Sequence, residues 1–164
     1  MRLAMLLFLF IAGAVGRPAL ADTPSLQIVN FTAEWCPTCR VFDPALHTVL
    51  DEMNNPSIEL LAIDLTHSRG GTRQQKDKMW GDFLQRMRDE GMPQIYYAYN
   101  QFPYTGYSVV VAADTKEPVV CMRGALRPLM IESVLLAARR QVATQSAGNR
   151  LLREHNCPAP FLAN

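Results

Sequence analysis

The sequence predicts one α/β domain, a three-layer arrangement in which helices cover both faces of a mixed sheet, with an insertion ahead of a C-terminal hairpin. Three observations carry this reading. An apolar, β-branched stretch (Leu26–Thr32) runs directly into an amphipathic helical stripe; a second strand-like stretch follows; and a hairpin pattern near residues 108–122 leads into a last helix. With 164 residues, 49% of them apolar, the chain suits a single domain able to bury a core without metal staples.

Leu26-Gln27-Ile28-Val29-Asn30-Phe31-Thr32 has the composition of a buried strand. After Cys39, the residues Val41, Phe42, Ala45, Leu46, Val49, Leu50 and Met53 recur at helical spacing, which predicts about four turns. Pro37 fits the first helical position, where its missing N–H costs nothing. Ile58–Asp64 predicts the next strand. Residues 67–76 (HSRGGTRQQK) are polar and glycine-bearing and are expected to form a loop. Met79, Trp80, Phe83, Leu84 and Met87 form a second helical stripe ending near Gly91. Gln94–Tyr99 is expected to be a short aromatic strand. Ser108–Ala113, a turn at 114–117 and Val119–Met122 make the hairpin, and Pro128–Val142 the last helix.

The first 21 residues are expected to stand apart from the fold. Arg2 supplies a positive start, Leu3–Val15 an apolar run of 13 residues, and Ala19-Leu20-Ala21 a small-x-small site after Pro18. Those features predict a cleaved secretory leader, and the run is short against the roughly 20 residues that cross a bilayer. The expected division is 1–21 leader, 22–145 folded domain and 146–164 C-terminal tail. The protein would be exported, to the periplasm in a bacterium and otherwise secreted. The full chain has a formal charge of +1; loss of Arg2 and Arg17 leaves 14 basic against 15 acidic residues. This balance argues against nucleic acid or an anionic membrane surface as partner.

Four cysteines fall into two kinds. Cys36 and Cys39 form a C-x-x-C, while Cys121 and Cys157 stand alone. Haem attachment would place His after the second cysteine, where Arg40 stands, and zinc would ask for a second C-x-x-C or a spaced histidine pair, which His47, His67 and His155 do not form. No metal site is therefore expected. A strand feeding a helix at Cys36 places its sulfur near unpaired N–H groups and the positive end of the helix dipole, which favours a thiolate. Cys39 lies one turn on, able to close a disulfide. For the other two, a Cys121–Cys157 bond tying the tail to the last strand stands against a free Cys121 and an exposed Cys157.

The segment Phe31-Thr32-Ala33-Glu34-Trp35-Cys36-Pro37-Thr38-Cys39-Arg40, with Pro44 five residues past Cys39, resembles the active site of thioredoxins, and Trp-Cys-Pro-Thr-Cys is similar to the periplasmic thioredoxin-like proteins of cytochrome c maturation. The resemblance covers residues 26–64. It implies a thioredoxin-like fold and thiol–disulfide exchange, with Cys36 as nucleophile and Cys39 as resolving thiol. Trp35, Pro37 and Thr38 would face substrate, and Pro44 would kink the helix. Disulfide-bearing proteins would be the substrates and a membrane electron donor or acceptor the redox partner, with no cofactor. Two departures stand out. The buried Asp of thioredoxins, six residues before the first cysteine, is Asn30, which leaves proton transfer at Cys39 to Glu34, water or substrate. The family's groove proline falls on Pro93 by sequence flavour, or on Ser108 by spacing.

The remaining candidates divide between function and packing. Met79, Met87 and Met92 suggest either core filling or, with the cysteines, a copper-binding or copper-delivery protein. Tyr96, Tyr97, Tyr99, Tyr104 and Tyr107 suggest a docking surface or the filling of a corner. His47 lies off its helix's apolar stripe and is expected to be solvated.

Overall fold

The structure is a computed structural model and describes residues 25–153 and 157–162. The expected leader (1–21), His155 and Asn156 lie outside the described residues. Four strands, β1 (Leu26–Thr32), β2 (Ile58–Asp64), β3 (Tyr107–Ala112) and β4 (Pro118–Arg123), form one sheet in the order β2-β1-β3-β4. β1 runs parallel to β2, with Leu26 opposite Ile58, and antiparallel to β3, with Asn30 opposite Ser108. β3 and β4 form the antiparallel hairpin. The sheet is mixed, as the sequence predicts.

Strand periodicity divides the core in two, because successive side chains point to opposite faces. Val29 and Phe31 on β1, with Val109 and Val111 on β3, face α3 (Arg73–Asp89) and α4 (Pro93–Gln101). Leu26, Ile28, Val110 and Ala112 face α1 (Cys39–Met53) and α5 (Pro128–Thr144), from which Phe42, Leu46, Ile131 and Leu135 pack inward with no exposure. Truncating a side chain such as Leu46 to alanine costs about 2–5 kcal/mol in such a layer.

The sequence reading needs correction in the middle of the chain. Residues 94–99 are helical, in α4. Pro93 occupies the first helical turn with its φ already set, and Ile95, Ala98 and Tyr99 reach the core at helical spacing. Packing against Phe31 and Phe83 overrides the β preference of the tyrosines. The insertion therefore adds a helix where a strand was expected. Residues 67–76 also carry structure: a short helix α2 (His67–Gly70) and the start of α3, set by a capping box in which the Thr72 hydroxyl accepts from the Gln75 N–H and the Gln75 side chain accepts from the Thr72 N–H. Gly91 (φ +73°) ends α3, with its N–H on the Arg88 carbonyl and that of Met92 on the Met87 carbonyl. α1 begins at Cys39 with Thr38 as its cap, so Pro37 lies in the preceding turn and not in the helix, and Val41, expected on the apolar stripe, is exposed.

The C-terminal residues fold back over the hairpin. The Leu152 N–H reaches the Val119 carbonyl, Cys157 is bonded to Cys121, and Phe161 packs on Phe31 and Tyr107. The cross-link closes a separation of 36 residues, for which the chain-entropy description gives about 4 kcal/mol. Arg150 bonds Asp114 at 2.6 Å and lies 3.5 Å from Glu117, fastening this segment to the turn between β3 and β4. No helix of the described residues is long and apolar enough to cross a membrane.

The Arg150 contact holds the Asp114 carboxyl below the usual carboxylate range, first through its hydrogen bond. A depressed acid stabilises the fold above its unfolded pKa and loses that contribution as pH falls through the folded value. Urea melts at neutral pH are therefore expected to show Asp114→Asn less stable than wild type. The difference should shrink as pH falls below about 4, the ordinary aspartate value.

Candidate active site

Cys36 and Cys39 sit where β1 hands over to α1. β1 ends at Thr32; Ala33 is buried, and the Cys36 N–H closes a turn on the Ala33 carbonyl. Cys36 and Cys39 are joined, with Cα atoms 5.3 Å apart, and both are nearly buried, at 3% and 2% exposure. The Cys39 N–H, first of the helix, points at the Cys36 sulfur at 3.1 Å. No acidic residue occupies the first turn of α1, so the positive end of its dipole faces that sulfur unopposed. Pro44 lies inside α1 and donates no hydrogen bond.

The flanking residues take distinct places. Trp35 is half-buried, its indole N–H donating to the Thr66 carbonyl at 3.0 Å, and the Arg69 guanidinium lies 3.8 Å over its ring. Pro37 is exposed and Thr38 half-buried. Glu34 is exposed and its backbone carbonyl takes a bond from Arg40.

Pro93 opens α4, and Ser108 bonds Asn30. The residue set against the disulfide is Gly106, which has φ +66°; a Cβ there would lie 2.7 Å from the Thr38 side chain and 3.5 Å from the Cys36 sulfur. Gly106 donates to the Phe31 carbonyl and accepts from the Gly124 N–H, so its backbone is pinned by β1 and by the residue that follows β4. Ser108, two residues on, is fully buried and points elsewhere, to Asn30.

Asn30 lies on the α1 side of β1 and is 2% exposed. Its amide donates to Asp43 Oδ1 at 2.9 Å and its carbonyl oxygen accepts from Ser108 at 2.8 Å, while the Thr32 hydroxyl donates to Asp43 Oδ2. Asp43 is the residue that sequence reading overlooked. Helical spacing could have found it, since it stands four residues after Cys39 and so on the same face. Gly106 was overlooked too; a lone glycine between Tyr104 and Tyr107 was its only mark.

The other candidates resolve into packing and surface. Met79, Met87 and Met92 are buried in the apolar cluster that also holds Phe83, Ile95 and the cysteine pair, where they serve as filling. The tyrosines divide: Tyr99 and Tyr107 are buried, Tyr96 is partly buried, and Tyr97 and Tyr104 are about half exposed. Burial pushes the Tyr99 and Tyr107 phenols well above the ordinary value, so both stay neutral. His47 is exposed.

A family model of thioredoxin matches residues 17–79, the stretch that holds β1, the cysteine pair and α1. Over that stretch the chain is similar to thioredoxin. Thioredoxin H2 of Arabidopsis thaliana is 33% identical over 45 residues, which are 27% of this chain and 34% of that protein; the match thus spans about a third of the relative's length. Among solved structures, Trxlp of Edwardsiella tarda shares 13% identity over 70% of this chain and 84% of its own, with a TM-score of 0.44. StoA of Bacillus subtilis also shares 13%, over 69% of this chain and 84% of its own, with a TM-score of 0.44.

Gly106→Ala tests how tightly the site is built. The side chain would meet Thr38 in a backbone conformation that disfavours it, at a cost of about 1–3 kcal/mol. Denaturant melts should show that loss, and the rate at which a small disulfide reacts with the reduced protein should fall with it.

Proposed function

We propose that this chain is a thiol–disulfide oxidoreductase acting on protein disulfides. The Cys36 thiolate attacks a substrate disulfide; a bond forms between Cys36 and one substrate sulfur, and the other leaves as a thiolate and takes up a proton. Cys39, as thiolate, then attacks the Cys36 sulfur, and the second substrate sulfur departs. Two electrons and two protons pass to the substrate, and the protein is left with the Cys36–Cys39 bond. The single observation that carries this reading is the Cys39 N–H on the Cys36 sulfur at the head of α1. A helix terminus stabilises the charged sulfur that must attack and later leave.

The finer reading is an exported protein working as a reductase. Its support is the leader-like sequence of residues 1–21 and the Cys121–Cys157 cross-link, a bond that persists in oxidising compartments. In such a compartment a reductase must be recharged by an electron donor at the membrane. The Trp-Cys-Pro-Thr-Cys segment motivates that direction, and the potential of the pair against glutathione decides it.

Insulin reduction by dithiothreitol tests the exchange itself. Wild type should hasten the onset of turbidity, Cys36→Ala should match the uncatalysed reaction, and Cys39→Ala should accumulate a mixed disulfide visible by mass spectrometry. Identical onset for wild type and Cys36→Ala contradicts the reading.

A further inference from the structure

In the resolving step Cys39 must lose a proton before it can attack, and at 2% exposure it has little direct access to bulk water. A group able to take that proton has to lie in the groove that Cys39 lines. Three carboxylates share that groove with it: Glu34, Asp43 and Asp64. Glu34 is exposed on the loop before the cysteines. Asp64 directs one oxygen to Thr66, taking both its N–H and its hydroxyl. Asp43 differs from both. It stands one helical turn beyond Cys39 on the same face of α1, and each of its oxygens is held by a neutral donor from β1, Asn30 on one and Thr32 on the other. Asn30 is itself fixed by the buried Ser108 hydroxyl. Such an array holds a carboxylate in a set orientation in the wall of the groove that Cys39 also lines, and each oxygen keeps further lone-pair capacity.

We propose that Asp43 is the proton acceptor for Cys39 in the resolving step. This rests on the exchange reading above. The Cys39 proton passes to Asp43 through water in the groove. The electron pair left on Cys39 forms the bond to Cys36, the bond between Cys36 and the substrate sulfur breaks, and its pair leaves on the substrate thiolate. Asp43 returns the proton to solvent before the next cycle. The charged groups near Asp43 are Arg40 on α1, Glu34 on the preceding loop and Asp64 at the end of β2; β1 and β3 contribute the neutral Asn30, Thr32 and Ser108.

Stopped-flow reaction of the reduced protein with the aromatic disulfide DTNB separates the two steps. The first thionitrobenzoate released reports attack by Cys36, and the second reports resolution by Cys39. Asp43→Asn should slow the second phase by about 100-fold at neutral pH, the lower end of general-base contributions, with little change in the first. The gap should close above about pH 8.5, where a cysteine ionises unaided, and Asp43→Glu should restore much of the rate. A second phase that is unchanged in Asp43→Asn, or both phases slowed equally at every pH, overturns the assignment while leaving exchange intact. A wild type that releases no thionitrobenzoate overturns the exchange reading and this one with it.

Discussion

The contact between the first helical N–H of α1 and the Cys36 sulfur governs how the rest of this molecule is arranged. It requires a strand to end, a tight turn to follow and a helix to begin within eight residues, from Thr32 to Cys39. β1 can deliver the turn accurately only because it is held on both sides, by β2 and β3. α1 can hold its N–H groups still because Phe42, Leu46 and Val49 are anchored in the layer shared with α5. The chemistry sits on the rigid end of a packed element, and the helix dipole acts where the charge would form.

Strand parity explains why the same strand supports two different environments. On one face of β1, Phe31 joins the aromatic layer of Phe83, Tyr99, Tyr107 and Phe161, which also backs the cysteine pair. On the other, Asn30 is the polar exception in an apolar layer, satisfied on both its amide atoms by Ser108 and Asp43. A buried polar group left unpaired there would cost about 1–3 kcal/mol. The two faces thus divide the work: one fills space beneath the disulfide, and the other fixes a carboxylate near it. Gly106 completes the enclosure from the third side, where no side chain fits.

Much of this was legible in the sequence because it is local. β1, β2, the hairpin and α5 follow from apolar runs and turns, and the C-x-x-C at a strand-to-helix junction follows from periodicity. What failed were residues 67–76 and 94–99, on either side of the correctly read stripe of α3. Gln94–Tyr99, with its three tyrosines, reads as β by propensity, yet Pro93 and the 95/98/99 spacing made it part of α4, since packing decides the outcome of such short runs. The helices in the glycine-bearing stretch were masked by polarity, although Thr72 and Gln75 carried the capping signature. The partners of Asn30 and the approach of Gly106 to Cys36 join residues far apart in the chain, and no local pattern encodes them.

Exchange at this site depends on Cys36 being acidified by its place at the head of α1. The most direct measurement is the pH dependence of iodoacetamide alkylation of Cys36 in the reduced Cys39→Ala protein. The account predicts a midpoint clearly below the free-cysteine value of about 8.5. A midpoint at that value, unmoved by the helix, contradicts it.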